Sequence, residues 1–133
     1  MALKFFPKAG QIYYADFSDL SPPEICKKRP VIVISPKLPG RSNLAAIVPI
    51  SLSAPVREVP YVYKLSRNYH PREPDDLDCW AKADLVMNIS LGRMDCIKVG
   101  RRRYEYPQLT PEDLLGVRRA VLAGLGLDKI IEK

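Results

Sequence analysis

The chain is poor in the groups from which most enzyme centres are built. Its 133 residues include one histidine, His70, and three cysteines, Cys26, Cys79 and Cys96. The cysteines are odd in number, widely spaced and never in a CxxC pair. That argues against a disulfide framework and a zinc site, and fits reduced thiols in a cytosolic protein. One imidazole cannot make a histidine cluster, so no metal or other cofactor is expected. A GxSxG elbow, a GxxxxGK[ST] loop and a GxGxxG loop are all missing. Serine-hydrolase, P-loop and dinucleotide chemistry are thereby set aside. No apolar run approaches the roughly 20 residues that span a bilayer. The start, MALKFFPKAG, has no long apolar stretch and no cleavage site of small residues, so neither membrane insertion nor export is expected.

What the chain does have is cations and prolines. The formal charge is +6 and the isoelectric point about 9.3, which suits a polyanion or an acidic protein as partner. An apolar fraction of 47% with 27% charged residues is that of a globular chain, and the length suits one domain over 1–133. Thirteen prolines cut the sequence into short segments.

Those segments read mostly as strands. GQIYYADF (10–17), the β-branched PVIVIS (30–35), LAAIVPIS (44–51), VPYVYKL (59–65), CWAKADLVM (79–87) and CIKVG (96–100) carry the β-favouring residues. PVIVIS predicts a strand buried on both faces, and Pro49 predicts an edge or a bulge. The polar stretch 66–78 predicts a long loop of the kind that is mobile or functional, with His70 solvated in it. TPEDLLGVRRAVLAGLG (110–126) predicts the one helix, capped by Thr110, opened by Pro111 and ended by Gly126. Leu114, Val117, Val121 and Leu125 form its apolar stripe, and Glu112 and Asp113 suit its dipole. The fold class is mainly β (α+β), a small antiparallel barrel or sheet covered by a helix.

The chemistry gathers at strand ends. Lys27, Lys28 and Arg29 stand before PVIVIS, and Ser51 closes LAAIVPIS. If these strands pair antiparallel, Arg29 meets Ser51 at one rim, where a guanidinium and a hydroxyl can share a phosphate. An arginine capping a sheet edge is an equally good reading of these residues alone. Arg101, Arg102 and Arg103 read first as a solvated charge run.

GQIYYADF, Glu24 five residues before Arg29-Pro30, PVIVIS, AAIVPIS and WAKADLVMNISLGRM occur in an order and spacing that resembles the MazF/PemK toxins. The resemblance covers nearly the whole chain. It implies an SH3-like barrel of about five to seven antiparallel strands with a C-terminal helix, usually homodimeric. It also implies a metal-independent endoribonuclease that cuts single-stranded RNA at short sequences and leaves a 2′,3′-cyclic phosphate and a 5′-hydroxyl. The implied partners are an acidic cognate antitoxin and, for the toxin–antitoxin complex only, DNA. Residue by residue, Arg29 matches the catalytic arginine, Ser51 the threonine or serine of the next strand, and Asp84 an aspartate implicated in some members. Glu24 matches the loop glutamate, a more structural position. It falls with Lys27, Lys28 and Lys82 in the expected RNA-binding set. Tyr61, Tyr63, Tyr69 and Trp80 are candidates for stacking on bases, with core packing as the competing use.

This chain has Pro22-Pro23-Glu24 where the family has G-x-E, Lys82 where some members have arginine, and Met87-Asn88 after the aspartate segment. These departures leave the general base unassigned. Two other readings stand beside the nuclease. One is a CcdB-like toxin of the same fold that binds a protein target. The other is a non-catalytic nucleic-acid-binding SH3-like module in which the cations make only phosphate contacts.

Overall fold

β1 (Ile12–Asp16), β2 (Lys28–Val33) and β3 (Leu44–Ser51) form an antiparallel meander in a computed structural model that describes residues 3, 5–23 and 26–131. Tyr14 lies opposite Pro30 and Ala15 opposite Arg29, while Val31 lies opposite Pro49 and Ile32 opposite Val48. The meander is the centre of a seven-stranded antiparallel sheet. On one side follow β5 (Trp80–Lys82) and β4 (Val62–Lys64), and on the other β7 (Met94–Asp95). The seventh strand, β6 (Met87–Ser90), also pairs with β3. A separate hairpin joins β8 (Ile97–Gly100) to β9 (Arg103–Glu105). No described ladder joins β4 to β7, so the curled sheet is not closed by hydrogen bonds.

Both faces of the meander are covered, as the unbroken apolar run at its centre requires. Val31, Ile32 and Val33 are fully buried. Ile12, Ile32, Val48 and Ile50 face Val117, Ala120 and Val121 of the helix α1 (Pro111–Gly124). Tyr13, Ala15, Val31, Val33 and Ile47 join Ile89 and Met94 on the other face. The Thr110 hydroxyl accepts the Asp113 N–H at 3.2 Å, the expected N-cap. Leu125 falls beyond the last helical residue and is exposed, so the stripe ends at Val121. A short α2 (Asp128–Ile131) follows Gly126, whose positive φ of 73° ends α1.

Three expectations change. The strand expected over 79–87 is broken by a 3-10 turn at Ala83–Leu85. Between the Ile50–Ala81 and Ile47–Met87 pairs β3 advances three residues and its partner six, so the surplus is extruded as the turn. Pro49, expected at an edge or a bulge, lies in a central strand. Its missing N–H falls in that same interruption, where no partner waits. The cations Arg101 and Arg102 do not end the β-structure but make the β8–β9 turn, and Arg103 opens a further strand.

Gly116 shows how closely helix and sheet approach. A β-carbon there would run into the Tyr63 ring, whose hydroxyl donates to Asp113 Oδ1 at 2.8 Å. Gly116→Ala is therefore expected to destabilise the chain by about 1–3 kcal/mol despite the better helix propensity of alanine. A lower urea midpoint at unchanged slope is the result expected.

Candidate active site at the β2–β3 rim

One proline opens the rim. Ile34 N–H donates to Ala46 O, so the even-numbered residues of β2 and β3 direct their backbone groups at each other. Pro30 therefore has no N–H to offer Ile50, and the β2–β3 ladder ends at Val31–Pro49. Arg29 is held from the opposite side, by β1, in register with Ala15. Continuing the β2–β3 register two residues past Val31–Pro49 puts Arg29 facing Ser51 where the strands part.

Two cavities meet at this point, and both are lined by Arg29, Ile50 and Ser51. The first, about 490 Å³, adds Pro23, Cys26, Arg57, Tyr61, Lys82 and Asp84. The second, about 360 Å³, adds Lys27, Lys28, Tyr14, Tyr69, His70 and Glu73. Ser51 Oγ accepts the Ser53 N–H at 3.0 Å, which orients the oxygen and leaves its O–H proton to donate elsewhere. Among the described residues Arg29 takes part in no ion pair, so its guanidinium is available to an anion. Asp84 lies on the 3-10 turn, brought to the first cavity by the extrusion that interrupts β5 and β6. The rim thus offers a fork of donors, a hydroxyl, a carboxylate and several lysines around space open to solvent. That set suits an anionic, phosphate-bearing ligand.

Of the sequence candidates, Arg29, Ser51, Asp84 and Lys82 share the first cavity, and Lys27 and Lys28 share the second with Arg29 and Ser51. Glu24 lies outside the described residues. The proposed stacking aromatics divide. Tyr61 lines the first cavity and is 37% exposed. Tyr63 and Tyr69 are taken up by hydrogen bonds to Asp113, and Trp80 is half-buried with Lys64 near its face. Burial, together with the bond to the Asp113 carboxylate, raises the Tyr63 pKa to about 12. Arg93 forks to Asp19 with two bonds of 2.6 Å and donates to Asp16 O, and it lines neither of the two cavities.

His70 is the larger surprise. Instead of standing in solvent it is half-buried, with Nε2 2.8 Å from the Tyr14 hydroxyl and Nδ1 accepting the Arg72 N–H at 3.1 Å. The loop 66–78 is knit by its own polar groups. Asn68, 4% exposed, reaches Glu73 Oε1 and Pro74 O, and its N–H donates to Asp75 O. Tyr69 O–H donates to Asp113 Oδ2 at 2.6 Å and accepts from Thr110 N–H, which ties the loop to the start of α1.

This architecture has known counterparts. A model of the family described as PemK-like, MazF-like toxin of type II toxin-antitoxin system matches residues 8–123. The chain belongs to that family. YifN of Escherichia coli strain K12, an uncharacterised protein, is 28% identical over 98% of this chain and 99% of its own length. MazF from Deinococcus radiodurans superposes with a TM-score of 0.67 at 20% identity, covering 92% of this chain and 99% of that one. A mycobacterial endoribonuclease solved with its cognate antitoxin gives 0.63 at 18% identity, covering 92% and 97%. At such identities the superpositions establish a common fold. On this PemK/MazF frame the rim described above lies within the matched region.

The sequence reading missed the Tyr14–His70 contact. Tyr14 was read only as strand material and His70 only as loop, and 56 positions separate them. Register was the one available signal. Tyr14 stands opposite Pro30, one residue from Arg29, so its neighbourhood follows once β1 is paired with β2.

Proposed function

We propose that the chain is the toxin of a type II toxin–antitoxin pair, a metal-independent, sequence-specific endoribonuclease acting on single-stranded RNA. The observation that carries this reading is the facing of Arg29 and Ser51 at the junction of two open cavities. In the proposed reaction the 2′-oxygen attacks the adjacent phosphorus and the 5′-oxygen leaves. Arg29 spans the non-bridging oxygens and stabilises the charge that builds there, and Ser51 adds one hydrogen bond. Asp84, which lines the first cavity, is the carboxylate to which this reading gives the 2′-hydroxyl proton. Lys27, Lys28 and Lys82 hold the flanking phosphates, which makes binding salt-dependent.

The same reading brings an acidic antitoxin that covers the cationic rim, a homodimer, DNA contacts only for the toxin–antitoxin complex, and a cytoplasmic setting. It treats 1–133 as one toxin domain, supported by the family match over most of the chain. No helix among the described residues is long and apolar enough to cross a membrane.

The test is incubation of the purified chain with a long single-stranded RNA in excess EDTA, followed by mapping of the cut ends. Cuts at one recurrent short sequence, with 2′,3′-cyclic phosphate termini, are expected. RNA that stays intact over a wide range of protein concentration would overturn the nuclease assignment in favour of a binding toxin.

A further inference from the structure

The rim residues belong to a row that continues across the sheet beyond the two cavities. Ser51 of β3 stands directly opposite Trp80 of β5, and Trp80 directly opposite Lys64 of β4. Residues so opposed in an antiparallel pair share a face, with β-carbons about 4.5–5.5 Å apart. Arg29 faces Ser51 by the register already given, so Arg29, Ser51, Trp80 and Lys64 follow one another across four adjacent strands. The row lies on one face. Ile50 and Ala81, the alternate residues, turn to the core beneath α1, which leaves Ser51, Trp80 and Lys82 on the opposite side. From that side Lys82 lines the first cavity with Arg29 and Ser51.

A half-buried tryptophan is ordinarily held by a core. Trp80 is a member of neither apolar core, and it lines neither cavity. What lies over its ring is the Lys64 ammonium, 6.0 Å from the centroid. Asp78 holds that ammonium at 3.5 Å, and both side chains are more than half exposed. An exposed ion pair of this kind contributes little, so a ligand that offers another anion displaces it at small cost. The indole is therefore a flat apolar surface next to the phosphate site, covered by a solvated cation.

We propose that Trp80 is the stacking platform for the base of a nucleotide adjoining the cleaved phosphate, and that Lys64 moves from the ring to that nucleotide's outer phosphate. This rests on the ribonuclease reading above and adds the base contact that reading lacks. The indole is one strand from Ser51, and the Lys64 stem one strand further. Phosphate, base and next phosphate thus meet their partners in the order in which a single strand presents them. Stacking tolerates any base, so Trp80 supplies affinity and sets the strand in register at the cut rather than selecting a sequence.

The chain has one tryptophan, so its indole emission reports on the platform alone. The probe is the mapped cut sequence as an RNA with 2′-deoxyribose at the attacking nucleotide, which cannot be cut. Titration of the wild type with this probe is expected to quench the emission. An abasic residue is then placed on each side of the cut in turn. On one side it is expected to abolish the quench and to weaken binding about 10- to 100-fold. Trp80→Ala is expected to lose the same factor on the full probe and to bind the full and abasic probes alike. Its single-turnover rate at saturating RNA should stay within about threefold of the wild type. Trp80→Phe, which keeps a ring, recovers part of the affinity. Lys64→Ala keeps the quench and lowers the slope of log affinity against log salt by about 0.7; an unchanged slope would remove the lysine's role. Additive losses from Trp80→Ala and the abasic residue overturn the proposal, as does tight binding with unchanged emission. Should Trp80→Ala fail to fold, the wild-type emission and Trp80→Phe decide in the same way. A wild type that cuts no RNA overturns the ribonuclease reading itself.

Discussion

Arg29→Ala is expected to reduce single-turnover cleavage about a thousand-fold while leaving RNA binding and the thermal melt nearly unchanged. The size follows from where the charge develops. A guanidinium facing the phosphate meets the non-bridging oxygens when they carry more charge than in the ground state, so its removal falls on the rate more than on affinity. Arg29 sits at the rim with β1 holding its backbone, so truncation opens no core cavity and removes no ladder bond. Arg29→Lys is expected to recover only a small part, because an ammonium cannot fork across two oxygens. Ser51→Ala, which removes one neutral donor, should cost about tenfold. A loss in Arg29→Ala confined to binding, with the rate at saturation intact, would contradict the role given to this residue.

Asp113→Ala is expected to destabilise the chain by about 3–5 kcal/mol by urea titration. The carboxylate is 1% exposed and accepts from four donors: the Tyr63 and Tyr69 hydroxyls, the Ser66 hydroxyl and the Ser66 N–H. Alanine leaves all four without that acceptor next to the core. Burial by itself would raise the Asp113 pKa, but donation from Ser66, Tyr69 and Tyr63 outweighs it and holds the group below its ordinary 3.8. The sign for stability follows from that direction. The contribution is complete above the ordinary value and is lost as the pH falls through the lower folded value. Wild type and Asp113→Asn should therefore differ widely in urea midpoint at pH 7 and progressively less in acid below about pH 4. A difference that stays constant down to pH 2 would show that the carboxylate charge is not what the hydroxyls are bound to.

The elements most legible in the sequence were those fixed by local chemistry. LAAIVPIS became β3 at its full length, and Thr110 and Pro111 opened α1 where capping requires. Arg29 and Ser51 could be brought together on paper because antiparallel pairing through a short loop leaves no other arrangement. What stayed hidden depends on distant partners. Nothing local separates Ala83–Leu85 from a strand; the turn exists because β3 changes partners above it. Asp113 looked like a dipole-complementing residue of a first turn. Its burial comes from three side chains of 63–69 that the helix meets only after folding. His70 was misjudged for the same reason, since polar neighbours in sequence do not reveal a tyrosine that arrives from β1.

The proline at the rim bears on how a polymer gets in. A groove closed by a continuous ladder would have to break backbone hydrogen bonds to admit an extended chain. Here the absence of a Pro30 N–H has already unfastened the last rung of β2 against β3, while Arg29 stays fastened to β1. The end of β3 that carries Ser51 is fastened in turn to β5, with Ser51 opposite Trp80, so two fixed posts flank a gap in which no rung has to be broken. An extended polymer entering between them would break no backbone hydrogen bond of the β2–β3 ladder.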